Sequence, residues 1–406
     1  MLKIKKMFGD TEIPKDLTLL LIVGGLYSLS ISLSNTFVNI YLWKQSGKFL
    51  DLAIYNMAIV IFQLMTFILA GRLAKKVDRV LVLRIGVIFL ALFFITVLFF
   101  GENSSKHLIL LGGLLGMGYG FYWLAFNVLT FEITEPDTRD IFNGFMGALS
   151  SVGGIIGPIS AGFIITRFTS NIGYTLIFVI SLVLFSAAVL LSFYIKRRPA
   201  SGTYLFRRII LERKHNNNWR LVTNAHFLQG MREGTFVFVI SVFVFIATKN
   251  ELALGAFGLL NAGVSFIVYT LATRLIKKEK RKKVMVFGGL LLYSAIFLIV
   301  FDPTYTRLLI YGALVGIGYP LMLVPYSSTT YDVIGKSWKA GEMRIEYIVV
   351  RELFLNIGRI TSILAFIAAI YFYKPSTSIP ILLILIGTGH LLAALLLTKV
   401  KVDLPS

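Results

Sequence analysis

Apolar segments long enough to cross a lipid bilayer recur along the whole chain. A helix needs about 20 mainly apolar residues to span the ~30 Å hydrocarbon core. Inside lipid the backbone must satisfy its own hydrogen bonds, so helices are the default spanning element. Membrane-spanning strands would show as alternating segments of about ten residues, and the sequence contains no such pattern. The chain is therefore predicted to be an all-α integral membrane protein.

Twelve spanning helices are predicted. They lie near 17–42, 52–70, 81–100, 107–131, 141–166, 173–195, 221–247, 253–273, 284–301, 306–331, 344–371 and 377–398. The first of them is too long for a signal-peptide core, and no small-residue cleavage site follows it. We therefore expect it to be retained as a spanning helix.

The basic residues predict the orientation of these helices. Cytoplasmic loops of membrane proteins carry an excess of Lys and Arg. With a cytoplasmic N-terminus, the inside segments hold 29 of the 40 basic residues and the outside loops hold seven. Both termini are thus expected in the cytoplasm, in a multi-pass protein of the cytoplasmic membrane. The net charge of +20 is explained by this topology, and no nucleic-acid partner is expected.

A basic polar stretch at 196–220 divides the chain into two halves. Landmarks of the first half recur 200 to 202 positions later: residues 116–119 match 316–319, residues 71–76 match 273–278, and Gly157 matches Gly358. Duplicated bundles with a substrate site between them are a recurring transporter plan. The predicted parts are a cytoplasmic N-terminus (1–16), two pseudo-symmetric six-helix bundles (17–195 and 221–398), a cytoplasmic linker (196–220) and a cytoplasmic tail (399–406).

The loop after the second predicted helix reads Gly71-Arg72-Leu73-Ala74-Lys75-Lys76-Val77-Asp78-Arg79. This loop resembles the pattern Gly-x-Leu-Ala-Asp-Arg-x-Gly-Arg of the major facilitator superfamily. Together with the twelve helices and the central linker, the loop makes the whole sequence similar to that family. Lys75 replaces the usual Asp, and Asp78 replaces the second Gly. The resemblance implies a conformational latch with Gly71, Asp78 and Arg79 as gating residues, Asp78 being the candidate for the acidic role.

Residues 153–162 in the fifth predicted helix resemble the antiporter signature of that family. Gly153 and Gly157 would let a neighbouring helix approach closely, and Pro158 would permit a bend. The resemblance favours export by antiport, while ordinary tight helix packing is the alternative interpretation. Arg139, in an acidic–Arg turn before this helix, is predicted to belong to a cytoplasmic gate. The fourth predicted helix lacks the basic residue that exporters of this family often carry.

Charged residues inside spanning helices are expensive and usually functional. The seventh predicted helix contains Arg232 and Glu233, and the eleventh contains Arg351, Glu352 and Arg359. We expect two cross-pairs, Arg232 with Glu352 and Glu233 with Arg351. A glutamate whose Arg partner switches between states could carry a proton. A network that only holds the two helices together is the alternative.

Polar and aromatic stripes mark the helices that line the cavity in this family. The candidate substrate-binding residues are Asn35, Asn39, Tyr119, Tyr122, Trp123, Asn127, Tyr319 and Tyr326. Aromatic rings with a polar tip suit an amphipathic or ring-bearing ligand. For any single one of these residues, ordinary helix packing is an equally simple interpretation.

Other classes of function lack support in the sequence. There is no phosphate-binding loop of an ATP-driven pump, no cysteine, and no clustering of the four histidines, so neither a metal nor another cofactor is expected. We expect a monomeric secondary transporter rather than an enzyme, with the lipid bilayer, a small solute and protons as partners. Proton-coupled export of an amphipathic organic compound is the first hypothesis. The alternatives are a carrier or flippase for an anionic or lipid-like molecule, held by Arg232, Arg351 and Arg359, and a transport-inactive sensor with the same fold.

Overall fold

The computed structural model describes residues 15–133, 136–168, 171–196, 202–276 and 278–401, leaving aside the side chains at 131–145, 148, 273–275 and 278. Within this part of the chain, twelve helices are long and apolar enough to cross a membrane, which confirms the predicted number. The first six are α1 (Lys15–Ser46), α2 (Phe49–Lys76), α3 (Arg79–Phe100), α4 (Leu108–Ile133), α5 (Pro136–Arg167) and α6 (Ile172–Ser192). The last six are α7 (Asn217–Thr248), α8 (Glu251–Leu275), α9 (Arg281–Val300), α10 (Tyr305–Gly335), α11 (Arg344–Phe372) and α12 (Pro375–Thr398).

Polar side chains cap the first turn of several spanning helices. Asp78 accepts hydrogen bonds from the amides of Val80 and Leu81 at the start of α3. The side chain of Asn216 accepts one from the Trp219 amide at the start of α7. Such caps satisfy amide groups that have no partner within the helix. The seventh spanning helix therefore begins inside the segment that was predicted to be linker.

The same helix pairs pack together in both halves. In the first half α1 packs on α5 and α6, and α4 packs on α2 and α3; in the second half α7 packs on α11 and α12, and α10 packs on α8 and α9. The repeated glycines serve this packing. Gly116 lies against the backbone of Ile59 in α2, and Gly316 lies against the backbone of Asn261 in α8.

Two helix pairs form the main seam between the halves, α5 with α8 and α2 with α11. The glycine-rich segment of α5 presents two different faces. Gly153 and Gly157 contact α1 within the first half, whereas Gly154, Pro158 and Gly162 contact α8 across the seam. Small residues here let backbones approach closely. The segment resembling the antiporter signature therefore packs two helices on α5, one of them in the other half.

The linker is fixed to the second half. Its short helix, Phe206–Leu211, is held by the Trp219 indole, which donates to the Ile209 carbonyl over 3.1 Å. The guanidinium of Arg213 lies 4.1 Å from the centre of the Phe354 ring. We call the end of the bundle that carries the linker the linker end, and the opposite end the far end.

Candidate functional site

A buried polar cluster lies at the middle of α7, α11 and α12. We call it the midplane cluster, and its members are Gln229, Arg232, Glu233, Asn356, Arg359 and His390. Glu233 Oε2 accepts from Arg359 Nη2 over 2.6 Å and from Nε over 3.2 Å. Its other oxygen accepts from Gln229 Nε2 over 2.8 Å. Charge-assisted bonds of this kind are among the strongest in proteins.

Glycines on the facing helices bring this ion pair together. A Cβ atom on Gly230 of α7 would overlap the Leu355 carbonyl of α11, and one on Gly358 of α11 would overlap the Phe227 carbonyl of α7. The two backbones are therefore in direct contact. This closeness sets the register at which Glu233 faces Arg359.

We expect Gly358→Ala to destabilise the folded protein by about 1–3 kcal/mol, the usual cost of overpacking. The added methyl group would push α7 and α11 apart at the level of the midplane cluster. Gly335→Ala, at the end of α10 where a Cβ meets nothing within 4 Å, is the control. Thermal unfolding of the purified variants measures both effects, and equal stability of the two would contradict this packing.

The two predicted cross-pairs, Arg232 with Glu352 and Glu233 with Arg351, are wrong. Glu352 instead pairs with its neighbour Arg351, at 2.6 Å between Oε1 and Nη2. Arg351 also donates to the hydroxyl of Tyr331. The cause is the register of α11. Positions 351 and 352 lie about 12 Å nearer the linker end than Arg359, given a rise of 1.5 Å per residue.

Arg232 is buried without an acid partner among the described residues. Only 5% of its surface is exposed, and neither Nε nor Nη2 has a hydrogen-bond partner. The guanidinium lies 4.6 Å from the centre of the Phe236 ring, and the Tyr311 hydroxyl is beside it. An uncompensated buried charge is costly, so such a group inside a membrane protein is a candidate for ligand binding.

His390 of α12 completes the cluster. It is fully buried, and its Nε2 lies 3.8 Å from Glu233 Oε1, which is longer than a hydrogen bond. Sequence reasoning missed this residue because the four histidines were judged as a possible metal group. An ionisable side chain inside a predicted spanning helix was the signal that could have found it.

The first half contains a set of neutral polar and aromatic side chains. Asn39 Oδ1 accepts from Asn56 Nδ2 over 2.9 Å, and Asn35 Oδ1 accepts from the hydroxyl of Tyr119 over 3.4 Å. The structure thus brings together the candidates of the first and fourth helices. Asn56 was not predicted, since it belongs to α2, outside the helices that line the cavity in this family.

The aromatic candidates divide into buried and accessible rings. Tyr122 is 1% exposed and stacks on Tyr27, with 3.9 Å between ring centres. Tyr326 is also 1% exposed, with its ring 4.9 Å from that of His226. Trp123, in contrast, is 38% exposed. Tyr122 and Tyr326 therefore pack inside their own halves in this conformation.

Two further candidates flank these rings. Asn127 is partly exposed, one turn of α4 beyond Trp123. Tyr319 lies beside the midplane cluster, 5.8 Å from His390 between ring centres. Tyr319 thus links the predicted aromatic stripe of α10 to the charged residues of α7 and α12.

An ion pair joins the two halves at the linker end. Lys75 Nζ of α2 lies 3.0 Å from Glu346 Oε1 of α11, and the Glu346 side chain is 0% exposed. The same carboxylate accepts from the Leu205 amide of the linker over 3.3 Å. Lys75 occupies the position at which the family pattern has Asp. At this position the first half therefore contributes a positive charge to the contact, where the family pattern has a negative one.

The other residues predicted to form the latch have varied roles. Asp78 caps α3, and the carboxylate that pairs with Lys75 across the seam is that of Glu346. Gly71 contacts the Tyr204 hydroxyl and Val349, which leaves no room there for a Cβ atom. Arg79 lines a cavity of about 510 Å³ at the linker end. The side chain of Arg139 lies outside the described residues.

Tyr204 of the linker reaches the first half at the same place. Its hydroxyl donates to the Ile68 carbonyl of α2 over 3.3 Å. Burial, and secondarily the nearby Glu346 carboxylate, raise the pKa of this hydroxyl, so it stays protonated and able to donate. The linker, fixed to the second half, thus adds a polar contact to the ion pair between Lys75 and Glu346.

A second ion pair bridges the seam at the far end. Lys44 Nζ of α1 lies 2.9 Å from Glu251 Oε1 of α8, and the Tyr174 hydroxyl of α6 donates to the same oxygen over 2.9 Å. Lys44 and Glu251 border a cavity of about 500 Å³. Ion pairs thus join the two halves at both ends of the seam. The pair at the far end was not predicted, because only the folded structure brings its residues together.

Comparison with known proteins agrees with this architecture. The sequence pattern of the Major Facilitator Superfamily matches residues 20–344. The chain is 61% identical over 390 residues to the uncharacterized protein YqgE of Bacillus subtilis (strain 168), covering 96% of this chain and 91% of that one. It is 62% identical over 174 residues to an uncharacterized protein in the sodM 3' region of Geobacillus stearothermophilus, covering 43% and 81%.

The fold is also that of a solved transporter. The crystal structure of the human organic anion transporter MFSD10 (TETRAN) superposes with a TM-score of 0.70 at 14% identity, covering 95% of this chain and 100% of that one. Such low identity shows the fold alone. The family match covers most of the chain. The two equivalent six-helix halves of the structure agree with that match. The chain therefore belongs to the Major Facilitator Superfamily, and it is a multi-pass membrane transporter rather than an enzyme.

Proposed function

We propose that the protein is a secondary transporter of an amphipathic organic anion, whose negative group binds at Arg232. The observation that carries this proposal is the charge balance of the second half. Glu233, Glu352 and Glu346 are paired with Arg359, Arg351 and Lys75 respectively. Arg232 is left buried, with two guanidinium nitrogens lacking partners among the described residues. An anion would supply the missing charge and hydrogen-bond acceptors.

The contrast between the halves supports the amphipathic character of the substrate. The second half supplies charged groups, whereas the first half supplies neutral amides and the accessible ring of Trp123. A ligand with a negative group and an apolar body would use both kinds of side chain. The solved structural neighbour is an organic anion transporter, which supports this substrate class.

The segment of α5 resembling the antiporter signature favours a second candidate function. This is proton-coupled export of a neutral or cationic amphipathic compound, with Glu233 carrying the proton. In it, Glu233 would exchange Arg359 for a proton during the cycle. The two candidates differ in the charge of the substrate and in the role of Arg232.

The excess of basic residues at the linker end supports a cytoplasmic location for that end. We propose a monomer in the cytoplasmic membrane, because each substrate pathway would lie between the two halves of one chain.

The test is substrate counterflow in proteoliposomes with a panel of organic anions, cations, sugars and peptides. We expect saturable exchange of an organic anion. Arg232→Gln should reduce it about 10- to 100-fold, the loss expected for a charge-assisted hydrogen bond of about 1.5–3 kcal/mol. Arg307→Gln is the matched control, since that arginine is paired with Asp302 at an exposed site.

The outcomes separate the hypotheses. Anion exchange that survives Arg232→Gln would contradict the proposed site. Saturable exchange of cations or neutral compounds alone would favour the second candidate. No saturable flux of any compound would favour the transport-inactive sensor.

A further inference from the structure

We infer that His390 binds a coupling proton and that this proton loads together with the anion at Arg232. The inference rests on the proposed function and adds the coupling ion to it. Its starting point is geometric: His390 lies between an uncompensated cation and a carboxylate, fully buried, in a helix that otherwise has no ionisable residue between Pro375 and Thr398.

The position of the imidazole is suited to accept a proton. Its Nε2 lies 3.8 Å from Glu233 Oε1, and neither ring nitrogen has a hydrogen-bond partner among the described residues. Protonation of the ring would give it a second N–H donor. A small approach would then make a charge-assisted hydrogen bond to Glu233.

Several elements pack against His390 and determine its charge. The carboxylate of Glu233 on α7 attracts an imidazolium, whereas the guanidinium of Arg232 on the same helix repels one. From α10 the neutral ring of Tyr319 faces it, and α9 meets its backbone through Gly289. Arg359 of α11 lies on the other side of Glu233, in its ion pair.

Charge balance couples the two ligands. In the empty site, Arg232 is an uncompensated positive charge, and a second one on His390 would be repelled. A bound anion would cancel the charge of Arg232 and so make the imidazolium favourable. Because such linkage is reciprocal, a proton on His390 would also tighten anion binding.

The step requires no covalent chemistry beyond proton transfer. A proton from water on the open side would add to Nε2, and the imidazolium would share the Glu233 carboxylate with Arg359. Release of the anion on the other side would restore the repulsion by Arg232 and return the proton to water. Anion and proton would therefore move in the same direction, as symport.

The experiment measures anion accumulation in proteoliposomes at zero membrane potential, driven by an inward proton gradient. The wild type should concentrate the anion. His390→Gln should lose the accumulation and need a higher anion concentration for counterflow, because the proton that tightens anion binding is missing. Residual counterflow would show that the variant is folded and still binds the anion. His107→Gln is the control, because His107 stacks on Phe100 at the far end and should behave like the wild type.

A second measurement uses the wild type alone, in case the variant does not fold. Addition of the anion to unbuffered purified protein should cause proton uptake. Proton release, or no change, would overturn the inference, as would accumulation retained by His390→Gln. Either result would leave anion transport at Arg232 intact. Absence of anion counterflow in the wild type would instead overturn the proposed function.

Discussion

Replacing Glu346 with glutamine is expected to open the linker end of the seam. The substitution leaves Lys75 as a charged group without its partner carboxylate, at a site where the Glu346 side chain is fully buried. Removing one member of a buried ion pair costs about 3–5 kcal/mol. In an open state the halves would separate at this end and water would hydrate Lys75, so the closed state alone would bear this cost. The ratio of open to closed molecules should rise by about two to four powers of ten.

The absence of cysteine from the natural sequence makes this shift simple to measure. Spin labels on Val77→Cys and Gly341→Cys, two exposed positions on opposite sides of the seam, would report the distance across the linker end. We expect the Glu346→Gln background to lengthen this distance. A distance distribution identical to that of the unaltered pair would contradict a latch role for Glu346.

Exchanging the two charges gives the matched test. Lys75→Glu combined with Glu346→Lys restores an ion pair, so the double variant should close again. Recovery should be incomplete, since the Leu205 amide, which donates to Glu346, would then face an ammonium group. Asp302→Asn, in an exposed pair with Arg307, should have no effect at the linker end because surface pairs contribute at most about 1 kcal/mol.

The latch shows what sequence reasoning could reach and where it stopped. The family pattern predicted a gate at the end of α2, and Lys75 was recognised as a departure from that pattern. Its partner was not predictable from that pattern. Glu346 lies 271 positions away, and only the packing of α2 on α11 brings the two charges together.

The midplane cluster shows the same limit. Intramembrane charges drew attention to α7 and α11 because they stand out against apolar neighbours, and the structure pairs Glu233 of α7 with Arg359 of α11. The pairing within the cluster depends on helix register, which is set by the contact of Gly230 with the backbone of Leu355. Helical periodicity predicts on which face of its helix a residue lies. It does not predict which residues of a neighbouring helix lie at the same level along the helix axis. His390, on a third helix, joins the cluster only in the folded protein.

Two substitutions in adjacent residues of α7 are expected to change stability in opposite directions. Glu233→Gln leaves Arg359 buried without its counter-ion, next to the already uncompensated Arg232. We expect a loss of about 3–5 kcal/mol in the free energy of unfolding. Arg232→Gln removes the uncompensated charge and should make the fold more stable, by about 1–3 kcal/mol, the range for an unsatisfied buried polar group.

Thermal unfolding of the purified proteins, followed by size-exclusion chromatography after heating, would rank the two variants against the wild type. Arg307→Gln is again the control and should unfold with the wild type. Glu233→Gln should unfold first and Arg232→Gln last. A lower stability of Arg232→Gln would mean that its contact with the Phe236 ring outweighs the burial of its charge, and the argument for a ligand at that position would lose its basis.

The combination of greater stability with lost anion exchange is the signature of a binding residue. A guanidinium retained only for structure would stabilise the fold, and its removal would reduce stability and transport together. A guanidinium retained to bind a substrate lowers the stability of the empty protein. Binding of the anion then raises the stability again. In the same assay, the transported anion should therefore raise the unfolding temperature of the wild type and leave that of Arg232→Gln unchanged.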